Sequence, residues 1–204
     1  MLTLYFAPGS SSFAPHIALN EIGVPYEQRP LSFDKKETRS PAYLAINPEG
    51  KVPTLLIDAR PLTEVAAILF YLARTYPAAQ LLPFSDPEGE ARAISWMSFI
   101  ASTLHPARNK GIEHTRNVYD IADKRLGTKE WVLGPYSIVD FHLFRLYWRL
   151  MAALDLPQGA LPNLAAHHAR MMARPAVQRT CAIEKSVGYE MPEWFAGQGT
   201  RAPA

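Results

Sequence analysis

Asn47-Pro48-Glu49-Gly50-Lys51-Val52-Pro53-Thr54-Leu55-Leu56-Ile57-Asp58, running on through Ala59-Arg60-Pro61 to Leu62-Thr63-Glu64, is the stretch that decides the fold. Two prolines and a glycine break the pattern ahead of four β-favouring residues, Thr54 to Ile57, so a loop enters a short buried strand. Val52-Pro53 stands at that entry. An X-Pro bond costs little in the cis form, and a cis bond turns the backbone groups of the preceding residue outward, where an extended peptide can pair with them. Asp58 to Pro61 reads as a tight turn, and Thr63-Glu64 opens a helix whose apolar positions Val65, Ile68, Leu69 and Leu72 recur at helical spacing. A helix start offers open N–H groups and partial positive charge, enough to hold a carboxylate, and Glu64 beside it can hold an ammonium. The plainer alternative is a buried strand behind a proline, followed by an ordinary capped helix.

The flanking sequence extends this unit in both directions. Leu2 to Phe6 is a short apolar strand, Ala7 to Ser12 a turn leading into a helix, and Gly23 to Pro25 the helix stop. Tyr26 to Leu31 reads as a second strand, so the first thirty residues form a βαβ unit with parallel strands. A polar connection, with a short helix at Pro41 to Ala45, then leads to the hairpin at 54–61 and the helix at 63–75. The order βαβ then ββα is that of a thioredoxin-like α/β domain, assigned to residues 1–77. Pro77, Pro83 and Pro87 mark a linker at 78–88. Residues 89–204 read as an all-α domain: a long amphipathic segment from Glu88 to about Thr115, a shorter one from Val118 to Leu126, and helices at 137–153, 161–173 and 175–184. The tail carries Tyr189, Met191, Pro192, Trp194 and Phe195, expected to pack back on the helices, and residues 197–204 are expected to be disordered.

Composition narrows the function classes. The 204 residues are 48% hydrophobic and 20% charged, with 21 lysines and arginines against 19 acidic residues. That is a soluble globular composition, and its near-neutral balance argues against nucleic acid or membrane as a partner. The apolar run at residues 1–6 has no basic flank and is too short for a signal peptide or a span, so a cytoplasmic location is expected. The single cysteine, Cys181, excludes an internal disulfide and a Cys-x-x-Cys redox pair, and reads as a packed or surface thiol. His142, His167 and His168 show no metal-ligand spacing, and no metal is expected.

Ser137-Ile138-Val139-Asp140 has the form of a capping box, with Tyr136 and Phe141 at the positions of a hydrophobic staple, and it starts the most apolar helix in the chain. The reading is structural, since a buried helix end needs its N–H groups paired.

Asn-Pro-x-Gly-x-Val-Pro-x-Leu followed by Leu-Thr-Glu resembles the glutathione-binding core of the glutathione transferase superfamily, and the Ser137–Asp140 box resembles the motif that nucleates the central helix of its all-helical domain. The resemblance implies that Val52 and Pro53 meet the cysteinyl part of glutathione. It also implies that Glu64 and Val65 hold the γ-glutamyl end. Tyr5-x-x-Pro8-Gly9-Ser10-Ser11-Ser12-x-Ala14-x-His16 is similar to the bacterial beta-class signature Tyr-x-x-Pro-Gly-Ala-Cys-Ser-x-x-x-His. Matched residue by residue, Ser11 falls where that class has its active-site cysteine and Ser12 at the following serine. Lys35 matches the lysine that approaches the glycyl end, and His105 a helical-domain histidine that reaches the ligand. Pro106 replaces the expected lysine, and Val65 the serine after the glutamate, losing a hydroxyl bond but keeping an N–H.

The implied function is conjugation of glutathione, as co-substrate, to a small-molecule electrophile by a homodimer. The alternatives are a glutathione-dependent peroxidase or reductase, and a non-catalytic glutathione-binding scaffold. A free cysteine thiol ionises near pH 8.5, so a shift of about two units, worth roughly 2.7 kcal/mol, is asked of one hydroxyl and a helix end. Ser11, Ser12 and Tyr5 are the candidate donors, with core packing the competing reading for Tyr5 and helix capping for the serines. Serine cannot form the mixed disulfide that cysteine can. Arg108, Lys110, His114 and Arg116 cluster where the electrophile is expected; such charges ordinarily form a solvated face, and a substrate carrying a carboxylate is the alternative that would explain them.

Overall fold

A computed structural model of the chain describes residues 1–83, 86–151, 153–157 and 159–189. A four-stranded sheet of order β2-β1-β3-β4 is built from β1 (Leu2–Phe6), β2 (Tyr26–Pro30), β3 (Thr54–Ile57) and β4 (Arg60–Thr63). β1 and β2 are parallel, joined by helix α1 (Phe13–Ile22), while β3 runs antiparallel to both β1 and β4. α1 stops at Gly23, which takes the left-handed conformation at φ 76° and closes the last turn on the Leu19 carbonyl. A short helix, α2 (Pro41–Leu44), is capped by the Ser40 side chain, and α3 (Val65–Thr75) follows β4. This is the thioredoxin-like order expected.

Two local boundaries differ from the sequence reading. The hairpin turn is only Asp58-Ala59, both at positive φ, so Arg60 and Pro61 already belong to β4. Pro61 is tolerated because β4 is the sheet edge and nothing waits for its missing N–H. Thr63 ends that strand, and Glu64, at φ 68°, makes the sharp bend into α3.

The all-α half contains α4 (Pro87–Phe99), α5 (Ile112–Leu126), α6 (Ile138–Leu150), α7 (Pro162–Met172) and α8 (Pro175–Val187). The amphipathic stretch from Glu88 to Thr115 is not one helix. After α4 a wider π turn spans Ile100–Leu104, with the His105 N–H bonding the Ile100 carbonyl at 2.9 Å, and a 3₁₀ segment covers Pro106–Lys110. Pro106 has no N–H to continue the α ladder, and Gly111 at φ 91° resets the chain direction before α5. The Val118–Leu126 segment is therefore the second part of α5.

One hydrophobic core runs through both halves. Leu81, in the connection between them, is buried and its carbonyl accepts the Ile138 N–H at 2.8 Å, so the connection itself caps α6. Tyr189 packs on Trp148 and donates to the Cys181 carbonyl at 2.9 Å. Burial pushes the Cys181 thiol up to about 11. Met191, Pro192, Trp194, Phe195 and residues 197–204 lie outside the described residues.

The capping box at Ser137 forms, and its partner does more than cap. Asp140 Oδ2 accepts the Ser137 N–H at 2.9 Å, while Oδ1 accepts the Val132 N–H and faces His167 Nε2, each at 2.9 Å. Tyr136 and Phe141 meet edge to face with ring centroids 5.3 Å apart. A wholly buried carboxylate thus ties α6 to α7 and to the loop before it. Asp140→Ala should destabilise the protein by about 3 kcal/mol, above the ~1 kcal/mol of a simple cap, because it leaves two backbone donors and a histidine unpaired. The shift in urea midpoint at constant slope measures it, and a loss no larger than that of Ser137→Ala would reduce Asp140 to a cap.

Candidate functional site

A cleft of about 670 Å³ opens between the two halves. Its α/β side is made by the segment that opened the sequence reading. The Val52-Pro53 bond is cis. The loop around it is held from behind: Tyr43 Oη and Asn47 Nδ2 both donate to the Lys51 carbonyl, and both lie within hydrogen-bond distance of Thr54 Oγ1. Gly50, at φ 61°, has no alternative, since a Cβ there would stand 2.7 Å from the Thr38 carbonyl. So braced, the Val52 N–H and C=O make no hydrogen bond to any described residue and are open to a ligand.

Glu64 and the start of α3 form the next wall. Glu64 gives no side-chain cap, so the first N–H groups of the helix, at Val65 and Ala66, face the cleft unpaired. A non-glycine residue at φ 68° is strained, and the bend it enforces places a carboxylate and a helix N-terminus side by side. That pairing suits a group bearing both ammonium and carboxylate.

The loop Ala7–Ser12 supplies the hydroxyls. Ser12 is wholly buried, with its Oγ donating to the Ala7 carbonyl, accepting the Ala7 N–H, and 2.7 Å from Ser10 Oγ. Ser10 Oγ, so engaged, also accepts the Ser12 N–H. Ser11 lines the cleft half-buried, and its hydroxyl makes no hydrogen bond to any described residue. Tyr5 lies behind the loop against Tyr43, ring centroids 5.4 Å apart, and does not line the cleft. Lys35 is exposed outside it, and Lys36 lines it instead.

The helical side is where sequence reasoning missed most. His105, delivered by the π turn, is on the wall as expected, with Arg108 from the following 3₁₀ segment. Arg116 points away, donating to the carbonyls of Leu154 and Asp155, and neither Lys110 nor His114 lines the cleft. The rest of the wall comes from α6: His142, Arg145 and Arg149, at i, i+3 and i+7 on one face. Three polar residues at that spacing inside an apolar helix were the available signal.

Arg145 Nε donates to the Ser10 carbonyl at 2.9 Å, and from α8 Glu184 accepts the Gly9 N–H at 2.6 Å and meets His16 Nδ1 at 2.7 Å. The serine loop is thereby bolted to the helical domain. Burial, with repulsion from Arg149 and Arg108, brings Arg145 down to about 9, so it is still a cation at neutral pH. Burial and the nearby arginines push His105 down to about 4, and burial with Arg145 and His105 pushes His142 to about 3. Both imidazoles are neutral at pH 7.

An α/β half with a cis-proline edge, a helix N-terminus and a serine loop, closed by a helical half, defines a cleft suited to an extended ligand with ammonium and carboxylate ends. Comparison with known proteins carries this to a family. Residues 1–74 match the glutathione S-transferase N-terminal domain and residues 68–175 the glutathione S-transferase C-terminal domain. The chain is 32% identical over 200 residues to the glutathione S-transferase GstA of Escherichia coli O157:H7, covering 90% of this chain and 98% of the relative. It is similar to the solved structure of a Sulfitobacter glutathione transferase homologue with bound glutathione: TM-score 0.83, 32% identity, 92% of this chain and 98% of that one. The bacterial beta class glutathione S-transferase of Sphingomonas chungbukensis superposes with TM-score 0.79 at 33% identity, over 89% of this chain and 98% of that one. The chain belongs to the glutathione S-transferase family, and glutathione is its co-substrate.

The neutral histidines have a consequence for stability. Both folded-state values lie below the ordinary imidazole value of 6.5, so between about 6.5 and 4 the unfolded chain binds more protons than the folded one. Stability should be full above that window and fall as pH drops through it. Urea midpoints measured from about pH 7 to about pH 4.5 should show the loss, and His142→Phe should make it shallower. An unchanged slope in the variant would mean that His142 does not titrate this way.

Proposed function

We propose that the protein stabilises the glutathione thiolate through the Ser11 hydroxyl and transfers the sulfur to a small electrophile, as a beta-class-like transferase with serine in place of the active-site cysteine. The observation that carries this is the division of labour in the loop. Ser12 and Ser10 spend their hydroxyls on each other and on Ala7, whereas Ser11 faces the cleft with its hydroxyl unspent. A neutral hydroxyl at the start of α1 favours the charged form of a neighbouring thiol by donating to it. Val52 and Pro53 hold the cysteinyl part, Glu64 and the N–H groups of Val65 and Ala66 the γ-glutamyl end, and Lys36 rather than Lys35 is placed for the glycyl carboxylate.

Assembly and location belong to the same proposal. α3 and α4 carry a shallow apolar concavity including Ala67, Phe70, Ile94 and Met97, with Ile94 53% exposed, and this face suits a second copy of the chain. Ile94→Arg should convert a dimer into monomer in sedimentation velocity, and a wild-type monomer would remove the dimer from the proposal. Among the described residues no helix is long and apolar enough to cross a membrane. Reduced glutathione as co-substrate, and a lone cysteine that forms no disulfide, fit the cytosol.

Ser11→Ala should raise the pKa governing turnover by one to two units, roughly 1.4 to 2.7 kcal/mol, and slow conjugation at neutral pH while leaving glutathione affinity in place. The pH profile of kcat/KM reads this directly. Ser11→Cys should in turn gain one glutathione in mass after oxidation, lost again with reductant. An unchanged profile in Ser11→Ala would move the role elsewhere, and glutathione binding by calorimetry without turnover of any electrophile would favour the non-catalytic reading.

A further inference from the structure

We propose that the electrophile this protein takes carries a carboxylate, received by Arg108 and Arg145 beside His105 and His142 on the helical wall of the cleft. The inference rests on the transferase reading and adds the chemical class of the second substrate.

The two sides of the cleft differ in charge. The α/β side mixes signs: Glu49 and Glu64 stand among Lys36, Arg39 and Lys51, as glutathione with one ammonium and two carboxylates requires. Among the described residues the helical wall carries Arg108, Arg145, Arg149, His105 and His142, and none of its lining residues is acidic. Glutathione, whose ends are met on the other side, accounts for His105 through the family resemblance but not for His142 and the arginines.

Arg145 is the telling residue. It is 4% exposed and, among the described residues, makes one hydrogen bond, from Nε to the Ser10 carbonyl. No ion pair of Arg145 or Arg108 is found among the described residues. Glu184, the carboxyl that attracts Arg145, already serves Gly9 and His16. A buried guanidinium without a paired anion is costly, and Arg108 and Arg149 increase the cost by repulsion. His105 Nε2 and His142 Nδ1 are buried with no hydrogen-bond partner among the described residues. Two imidazole nitrogens without partners beside Arg145 and Arg108, which have no ion pair among the described residues, describe a site awaiting an anion. A carboxylate would accept from the guanidinium groups, and from each imidazole in the tautomer that places its proton on the unpartnered nitrogen.

The probes are 3,5-dinitrobenzoate and its methyl ester, which do not react, and their 4-chloro derivatives, which do. In the reaction the glutathione sulfur bonds to the ring carbon bearing chlorine, the C–Cl bond breaks with its electron pair leaving as chloride, and the thiol proton passes to solvent. Calorimetry on the full chain, with and without saturating glutathione, should give the acid at least about tenfold tighter binding than the ester, the lower bound for charge-assisted bonds. Turnover of the chloro compounds, each divided by its uncatalysed rate, should show the same preference in kcat/KM. In Arg108→Gln the acid-to-ester ratio should fall towards one.

Equal binding of acid and ester by the wild type overturns the proposal. So does Arg108→Gln leaving the ratio intact, or weakening glutathione binding alone, which would give Arg108 to glutathione's own carboxylate. Failure of the transferase reading is seen separately, as acid-selective binding with no glutathione heat or no conjugation.

Discussion

The carboxyl group of Glu184 is the interaction on which the site depends. It lies fully buried, 2.6 Å from the Gly9 N–H and 2.7 Å from His16, and so joins α8 to the first loop of the chain. A buried carboxyl is tolerated only with its oxygens satisfied, and each of these oxygens has a partner from the α/β half. Arg145 adds a second bolt at the next residue, to the Ser10 carbonyl. Gly9 must be glycine here: φ is 71°, and a Cβ would meet the Arg149 guanidinium at 2.8 Å. The serine loop is therefore positioned by the helical domain as much as by its own sheet, and the two halves share one core.

The same device recurs at Asp140, where one buried carboxylate gathers a helix start, a loop and a neighbouring helix. Both networks leave polar groups inside the helical domain, but with opposite outcomes. Around Asp140 every oxygen is matched. On the cleft wall, Arg108 and Arg145 lie beside two imidazoles whose buried nitrogens have no partner among the described residues. Stability and binding have thus been separated along α6. Its first turn, at Asp140, holds the fold, while the face of His142, Arg145 and Arg149 lines the cleft.

The parts legible in the sequence are those whose partners are near in the chain. The cis-proline loop, the hairpin, the start of α3 and the capping box each span fewer than twenty residues, and glycine, proline and capping residues report such geometry directly. Even there, periodicity misled once. Apolar spacing carried a single helix across 88–115, while Pro106 and Gly111 break it into a π turn and a 3₁₀ segment. That break delivers His105 and Arg108 to the cleft.

Sequence alone determined a thioredoxin-like half, a helical half and an X-Pro loop at Val52-Pro53 entering a strand, because strand alternation, helix caps and X-Pro chemistry are local. It left Ser11, Ser12 and Tyr5 as candidates for one role, with Ser11 put first by its match to the beta-class cysteine. Only the tertiary structure separated them, since which hydroxyl is spent depends on the Ala7 and Ser10 groups the folded loop places around Ser12. It also exchanged Lys110, His114 and Arg116 for His142, Arg145 and Arg149. Those side chains line one cleft with Ser11 across more than a hundred residues of chain, and a juxtaposition at that separation is set by packing of whole helices, which no short-range pattern encodes.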